Sequence, residues 1–550
     1  MIRLWKLFAI ALFALPWAAA QPVISGITNA LGAQTTLAPD SVFAITGTDL
    51  GPSALALPNG QNYHDSLGGT SISFSPTGGG SPIPARMVYS MSTQVSGLLP
   101  SSIAPGTYAV TVAYQSQTST AQNVTVAARS LVLASADGSG NGPAQANDGA
   151  VNNSLSLIRL TTGSQSIGGT NWTLTPAHPG DPVVLWGTGG GADAKNDTGG
   201  SSGDQTAEGN FQVSVDGTEI TPFYSGTATI YPGLWQVNFY LPADIDPDCF
   251  ANVQVTANGM TSNTVTISIA APGQPTCSSS DPTSITSYLS PAALARLDSG
   301  GLIVEGFFAL FKLPGYEEAS GDFLGFTATE LAIVSGGQRF GSCVVSDITG
   351  SASSYPGLPS KVYNAGNTIA LAGPNIPAGT VETIENPPAY YGLSLTPGTI
   401  APGTYTITGS GGPDIGPFTA TTVFPAEFTP TNIGSITTID HTQPLTITWT
   451  ETGVDLVQIN VTTDAVVGGT TDDPIERNVS VQCHVDASLG SYTIPAAALG
   501  KLLLSSEVAE LQVFGLTEKN AFTAPLVAGG QIDYGYFSYQ PGNYANVTVK

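Results

Sequence analysis

The chain is poor in charge. Asp, Glu, Lys and Arg make up only 10% of its 550 residues, against about 25% in an average soluble protein. Basic residues are the scarcest part, with 14 Lys and Arg set against 39 Asp and Glu, for a formal charge of −25. A surface of that sign excludes a general electrostatic grip on nucleic acid or anionic lipid. Its plain use is solubility, and its functional alternative is the collection of calcium. Past the first twenty residues, no run approaches the roughly eighteen uncharged apolar residues of a membrane span. His-Glu-x-x-His is absent. The only histidines are His64, His178, His441 and His484, and only Cys483–His484 brings a second His or Cys to ligand spacing. Adjacent side chains on a strand point to opposite faces, which makes that pair a poor zinc site. Nothing in the sequence pairs particular carboxylates for hydrolysis, so no enzymatic mechanism and no cofactor is expected.

What is present is glycine, 65 residues, and proline, 40 residues, together with abundant Ser and Thr. This composition suits short strands joined by many turns and starves helices of their preferred residues. The start, MIRLWKLFAIALFALPWAAA, has a basic beginning, an apolar stretch and a small-x-small end before Gln21. It reads as a secretory signal over 1–20. The expected location is therefore secreted, extracellular or cell-surface, with no membrane span after cleavage.

One phrase occurs twice. Residues 94–105 read QVSGLLPSSIAP and residues 236–247 read QVNFYLPADIDP. Upstream, PDSVFAITGTDLG at 39–51 matches PGDPVVLWGTGGG at 179–191, and TSISF at 70–74 matches FQVSV at 211–215. Near-constant separations mean that a whole domain is duplicated. Each phrase is followed by alternating strands, TYAVTVAY at 107–114 or FANVQVTA at 250–257, and turns recur at short intervals. Period-two alternation in short strands predicts antiparallel sandwiches. Strands should stop at Pro100 and Pro242, where a ladder donor is lost. Tyr108, after Pro-Gly-Thr, and Tyr405, in TIAPGTY at 399–405, have the placement of a tyrosine corner; Phe250 takes that place in the second copy.

With DGSGNGPAQANDGAVN at 137–152 and GLWQVNFYLP at 233–242, these motifs make residues 23–271 resemble the Solibacter-type uncharacterised C-terminal domain of secreted acidobacterial proteins. The resemblance implies secretion and a tandem of IPT/TIG-like immunoglobulin folds, and no activity. The first copy departs from it by lacking the Trp that stands at Trp235 in the second. The expected organisation is all-β: immunoglobulin-like sandwiches over 23–127 and 128–271, a linker at 272–284, a β-rich module over 285–431 and a C-terminal immunoglobulin-like sandwich over 432–550. Ser290 and Pro291 predict one short helix, and 494–504 suggests another. Trp449 ends an alternating strand as a core Trp does.

Other signals are weaker. VVLWGTGGGA at 183–192 contains Gly-x-Gly-x-x-Ala after a strand, but a polar loop rather than a helix follows, so its glycines read as turn glycines. Asp137, Ser139, Asn141 and Asp148 have a calcium-loop spacing, although Pro143 intrudes and position twelve is Asp; an inter-domain loop is the competing reading. Aromatics in LPGYEE at 313–318 and PPAYYGL at 387–393 suit either loop packing or contact with sugar. Cys249 opens one strand of a hairpin and Cys277 lies just past the other, which predicts Cys249–Cys277 and leaves Cys343–Cys483. The functional expectation is a non-enzymatic, multi-module extracellular protein for surface display, adhesion or matrix structure. The alternative is a polysaccharide-binding or polysaccharide-degrading protein, and an exposed row of aromatics on one sheet face would favour it. The partner is an extracellular protein or polysaccharide.

Overall fold

The computed structural model describes residues 20–60, 63–149, 155–229, 231–279, 281, 283–351, 358–384, 390–425, 428–450, 453–504, 509–517 and 520–550. Most of the expected signal lies outside them. The fold is all-β, with antiparallel pairing dominant. Contacts divide the chain into two compact units. The first comprises residues up to Ser130 with Thr188–Gly203 and Thr227–Leu234; the second comprises Leu131–Gly187, Asp204–Gly226 and Trp235–Lys550.

The first unit is a two-sheet sandwich. One sheet orders Val23–Asn29, Val42–Thr48, Gln94–Leu98 and Arg86–Ser90; the other is built around Thr70–Pro76 and Gly106–Tyr114. Alternation sends Phe43, Ile45, Ile72, Phe74, Val95 and Val110 inward, where all are buried. Phe43 and Phe74 meet edge to face at 5.3 Å, the geometry that the ring quadrupole favours.

Within this unit the loop Thr188–Gly203 is held by a buried carboxylate, Asp193. It accepts hydrogen bonds from the Ser202 amide at 2.7 Å, the Ser202 hydroxyl at 2.6 Å and the Lys195 amide at 3.0 Å. Burial works against its charge, but these bonds and that from Thr227 hold it below the usual carboxylate range. Asp40 beside it is different. It is buried, its Oδ2 accepts from the Asp193 amide, and its Oδ1 has no hydrogen-bond partner among the described residues. Burial pushes its carboxyl up to about 8. The unfolded chain loses that proton near the ordinary value of 3.8. The native state therefore binds more protons in between, and stability falls as pH rises through that window.

The second unit opens with the duplicate sandwich. Leu185 pairs with Val237 and Val213 with Val255, as Ile45 pairs with Val95 and Ile72 with Val112 in the first. The repeated phrase thus lies in the same ladder twice. After each strand the chain turns alike, with the Ile103 amide donating to Pro100 O and the Ile245 amide to Pro242 O. Trp235 is buried, stacks on Phe211 at 5.7 Å and donates to Ser225 Oγ at 2.9 Å.

Beyond it lies a large mixed sheet that serves two cores. The C-terminal strand Tyr534–Val549 runs parallel to Ile303–Leu313 over its first half and antiparallel to Ala509–Leu516 over its second. One core gathers Phe308, Phe323, Tyr391, Tyr405 and Phe418, with Ile532 and Phe537 from the far end of the chain. The other gathers Trp449, Val457, Ile459 and Val481 around Cys343 and Cys483. Trp449 is buried and donates to Ala487 O at 2.8 Å. The division at 431 and 432 in sequence is crossed by this last strand. Ser290 caps the helix Pro291–Asp298 and accepts from the Ala293 amide; a second helix, Ala328–Ser335, starts with a Thr327–Glu330 capping box; Ala496–Leu499 is a single turn.

Both corner tyrosines make their bond. Tyr108 Oη donates to Ala104 O at 2.8 Å and Tyr405 Oη to Ala401 O at 2.9 Å, so Tyr→Phe at each site should destabilise its own domain by about 1 kcal/mol and lower the melting point accordingly. Unchanged melting in both variants would remove the corner bond as a stabiliser. Asp40→Asn keeps the shape of the protonated carboxyl, and should flatten the pH dependence of stability of the first unit and raise its melting point above neutral pH. Denaturant titrations across this pH range check it.

Candidate functional site

The shared strand positions the site. Register sets Glu305 beside Tyr534 and Leu324, and Phe307 beside Tyr536 and Asp322, so these side chains occupy one face of the sheet. Opposite parity sends Phe308 and Phe537 into the core. Tyr288, just after the short helix Ile285–Ser287, leans on the same face. The result is an aromatic ladder. Tyr288 stacks on Tyr534 with centroids 4.5 Å apart, Tyr534 on Tyr536 at 5.2 Å, and Tyr536 meets Phe307 at 4.9 Å. Tyr288 is 41% exposed, and the other three are half-buried.

Beside the ladder is a cleft of about 290 Å³, at the small end of ligand pockets, which span about 300–1,000 Å³. Its walls carry Thr283, Ser346, Gln458, Gln482, Ser538 and Gln540, with Phe326, Leu331 and Leu516 as apolar floor. Its charged groups are Asp281, Glu305, Arg339 and His484.

Both basic side chains already have carboxylate partners. Arg339 donates to Asp248 Oδ2 through Nε at 3.1 Å and through Nη2, and its Nε lies 3.8 Å from Asp216 Oδ2. Burial pushes Asp216 upward, and the adjacent Asp248 charge adds to it. His484 Nδ1 lies 2.7 Å from Thr283 Oγ1 and 3.4 Å from Asp281 Oδ2. Burial opposes the Asp281 charge, yet the bonds from His484 and Thr283 hold that carboxylate well below its usual range. Glu305 stands apart. Burial, with the Asp322 charge added, pushes it up to about 7, and burial alone pushes Asp322 to about 6.

The residues singled out in the sequence fall as follows. Cys249–Cys277 and Cys343–Cys483 are both disulfides. Cys343 and Cys483 face each other across paired strands, while His484 lines the cleft. Cys249–Cys277 ties segment 272–284 to the second sandwich, and the Cys277 amide donates to Leu160 O at 2.9 Å. Asp137 Oδ1 accepts from Ser135 Oγ and the Ser139 amide, and its Oδ2 from Thr329 Oγ1 at 2.7 Å. Ser139 Oγ donates to Asn141 O, and Asp148 is buried on the strand Ala146–Asp148. Among the described residues no group of three or more His, Cys, Asp or Glu side chains gathers to hold a metal ion. Asp137 is used as a turn anchor. Of the glycines of 183–192, Gly187 lies in the strand Pro182–Thr188, paired with Trp235, while Gly189 and Gly191 have φ of 90° and 124° in the loop that follows. Of PPAYYGL, residues 387–389 lie outside the described residues. Tyr390 and Tyr316 meet at Glu318, the Tyr390 hydroxyl donating to Oε1 at 3.1 Å, whereas Tyr391 is buried and bonds the backbone of Ala365 and Gly366.

Sequence reading missed Tyr288, Glu305, Phe307, Tyr534 and Tyr536. The one available signal was Tyr-x-Tyr at 534–536, since residues two apart on a strand share a face.

No family profile matches the chain, and no curated protein matches it. Among solved structures, the Bacteroides ovatus mixed-linkage glucan utilization locus protein SGBP-B, in complex with a mixed-linkage heptasaccharide, aligns at 8% identity over 66% of this chain, with a TM-score of 0.19. This chain spans 65% of that protein's length. The FN1–FN3 domains of chicken CNTN1 align at 10% identity over 68% of this chain and 98% of theirs, TM-score 0.14. The BSP domain of a biofilm associated protein aligns at 9% identity over 94% of this chain and 96% of its own, TM-score 0.13. Scores this low carry no argument, and the fold rests on the ladders described above.

Arg339 generates a stability expectation. Arg339→Ala leaves Asp216 and Asp248 buried together without their cation, and should destabilise the second unit by about 3–5 kcal/mol at neutral pH. The deficit should shrink in acid as the carboxylates protonate. Melting curves at neutral and acidic pH measure both.

Proposed function

We propose that this is an extracellular, non-enzymatic, multi-module protein that binds a neutral polysaccharide, as a display or adhesion protein does. The aromatic ladder beside the cleft carries the reading. Sugars offer apolar ring faces and a rim of hydroxyls, and the site offers aromatic rings next to the amides of Gln458, Gln482 and Gln540. Because Arg339 and His484 are already paired with carboxylates, no unpaired cation among the described residues of the cleft is left for an anionic ligand. The net charge of −25 repels one as well.

Binding is favoured over hydrolysis by the carboxyl groups themselves. A glycosidase needs one acid kept protonated and one carboxylate kept ionised. In the cleft Glu305 is pushed up to about 7 and Asp281 is held well below its usual range, but both Asp281 oxygens are taken up by Thr283 and His484, so that carboxylate is not left open to act on a sugar. Export is supported by two disulfides, which persist in oxidising compartments; no described helix is long and apolar enough to cross a membrane. The Solibacter-type resemblance of residues 23–271 belongs to the same proposal and agrees with secretion.

Affinity electrophoresis of the full chain in gels containing neutral or acidic polysaccharides tests this. Retardation is expected with a neutral polysaccharide and not with an acidic one, without release of reducing sugar. Tyr536→Ala should weaken binding about tenfold, the worth of one stacked ring. Sugar release that disappears in Glu305→Gln would make the protein an enzyme instead.

A further inference from the structure

The second sandwich carries another unassigned face. Its strands Pro182–Thr188 and Trp235–Tyr240 are paired antiparallel, and alternate residues Val183, Leu185, Val237 and Phe239 are buried. The intervening positions point outward. At the end of that face Tyr240 is 57% exposed, and Phe223, 48% exposed, lies against it with ring centroids 4.8 Å apart and a 34° tilt. Phe223 is set in place by its own amide, which donates to Asn238 O at 2.9 Å. Two large rings in contact and open to water serve no core, since the inward partner Phe239 already fills that role.

Polar groups beside the rings are arranged as well. Gln236 Nε2 donates to Asn238 Oδ1 at 2.9 Å, which fixes both amides and leaves donors and acceptors facing out. Trp186, half-buried on the neighbouring strand, is oriented by its indole bond to Asn147 Oδ1. None of the outward positions on the two strands is charged.

We propose that this face is a second contact surface for a neutral polysaccharide, with Phe223 and Tyr240 packing on sugar rings and Gln236 and Asn238 bonding their hydroxyls. Charge selects the occupant. An uncharged face on a chain of net charge −25 suits a neutral polyol and gives no hold to an anionic polymer. The ligand class rests on the reading of the cleft, but the site is separate from it. Two contacts on one long chain raise retention by avidity, which a short oligosaccharide does not gain.

The test uses the full chain, a neutral polysaccharide that retards it, and a tetrasaccharide of the same polymer. Phe223→Ala/Tyr240→Ala should weaken polysaccharide binding about tenfold and leave the calorimetric affinity for the tetrasaccharide at the cleft within about twofold. Tyr536→Ala should reduce both. Tyr240→Phe, which keeps the ring, should bind as the parent does, and unchanged melting will show that these exposed positions do not affect folding. Polysaccharide binding unaffected by Phe223→Ala/Tyr240→Ala overturns this proposal and leaves the cleft standing. Binding lost in that variant but kept in Tyr536→Ala sinks the cleft and leaves this face. A change of sedimentation from dimer to monomer in the double variant assigns the face to a second copy of the chain, and no binding by the parent ends both readings.

Discussion

The strand Tyr534–Val549 has its two long ladders with neighbours of opposite polarity, and most of the second unit depends on that. Over Tyr534–Pro541 it runs parallel to Glu305–Lys312; over Gly542–Val547 it runs antiparallel to Ala509–Phe514. Its backbone donors and acceptors are satisfied only when both neighbours are in place, because a buried ladder cannot leave them unpaired. Parallel pairing needs a long connection, and the chain supplies one by returning after the whole of the last module has been laid down. The strand therefore locks two cores into one sheet. It also sets Tyr534, Tyr536 and Gln540 beside residues from strands far away in sequence.

A chain with few charges uses several of them inside. Arg339 sits between Asp216 and Asp248, linking the end of the second sandwich to the module after it. Asp298 accepts from the Leu160 and Thr161 amides across the same boundary. Glu317, buried, accepts from the Gly398 amide at 2.9 Å and the Ile400 amide at 2.7 Å, and so closes a turn. Each of these charges costs desolvation that its partners must offset. Arg339 and Asp298 thereby specify where modules meet, which apolar packing alone does less sharply. Such contacts suit a protein whose sandwiches must hold a fixed relation within the second unit.

Much of the fold was legible in local pattern. The duplicated phrase lies in matching ladders because alternation dictates which residues face inward, and proline dictates where the strand ends. Ser290-Pro291 marked a helix start, since an N-cap hydroxyl and a fixed φ both act within one turn. The helix Ala328–Ser335 passed unread although Thr327-x-x-Glu330 is there in the sequence. It is a single short element between strands, and its apolar residues show little helical periodicity.

The sequence by itself determined the strand alternation, the turn positions, the duplication and the class of fold, because each of these is a property of neighbouring residues. It also placed the corner tyrosines, whose bonds to Ala104 and Ala401 close within four residues. Only the tertiary structure decided the site. Glu305, Phe307 and Asp322 meet Tyr534 and Tyr536 through strand register across a mixed sheet, with Tyr288 stacked on Tyr534, and a shift of one residue would have turned every one of those strand side chains to the other face. Register of that kind is selected by the whole buried core at once, and no local stretch of the chain encodes it.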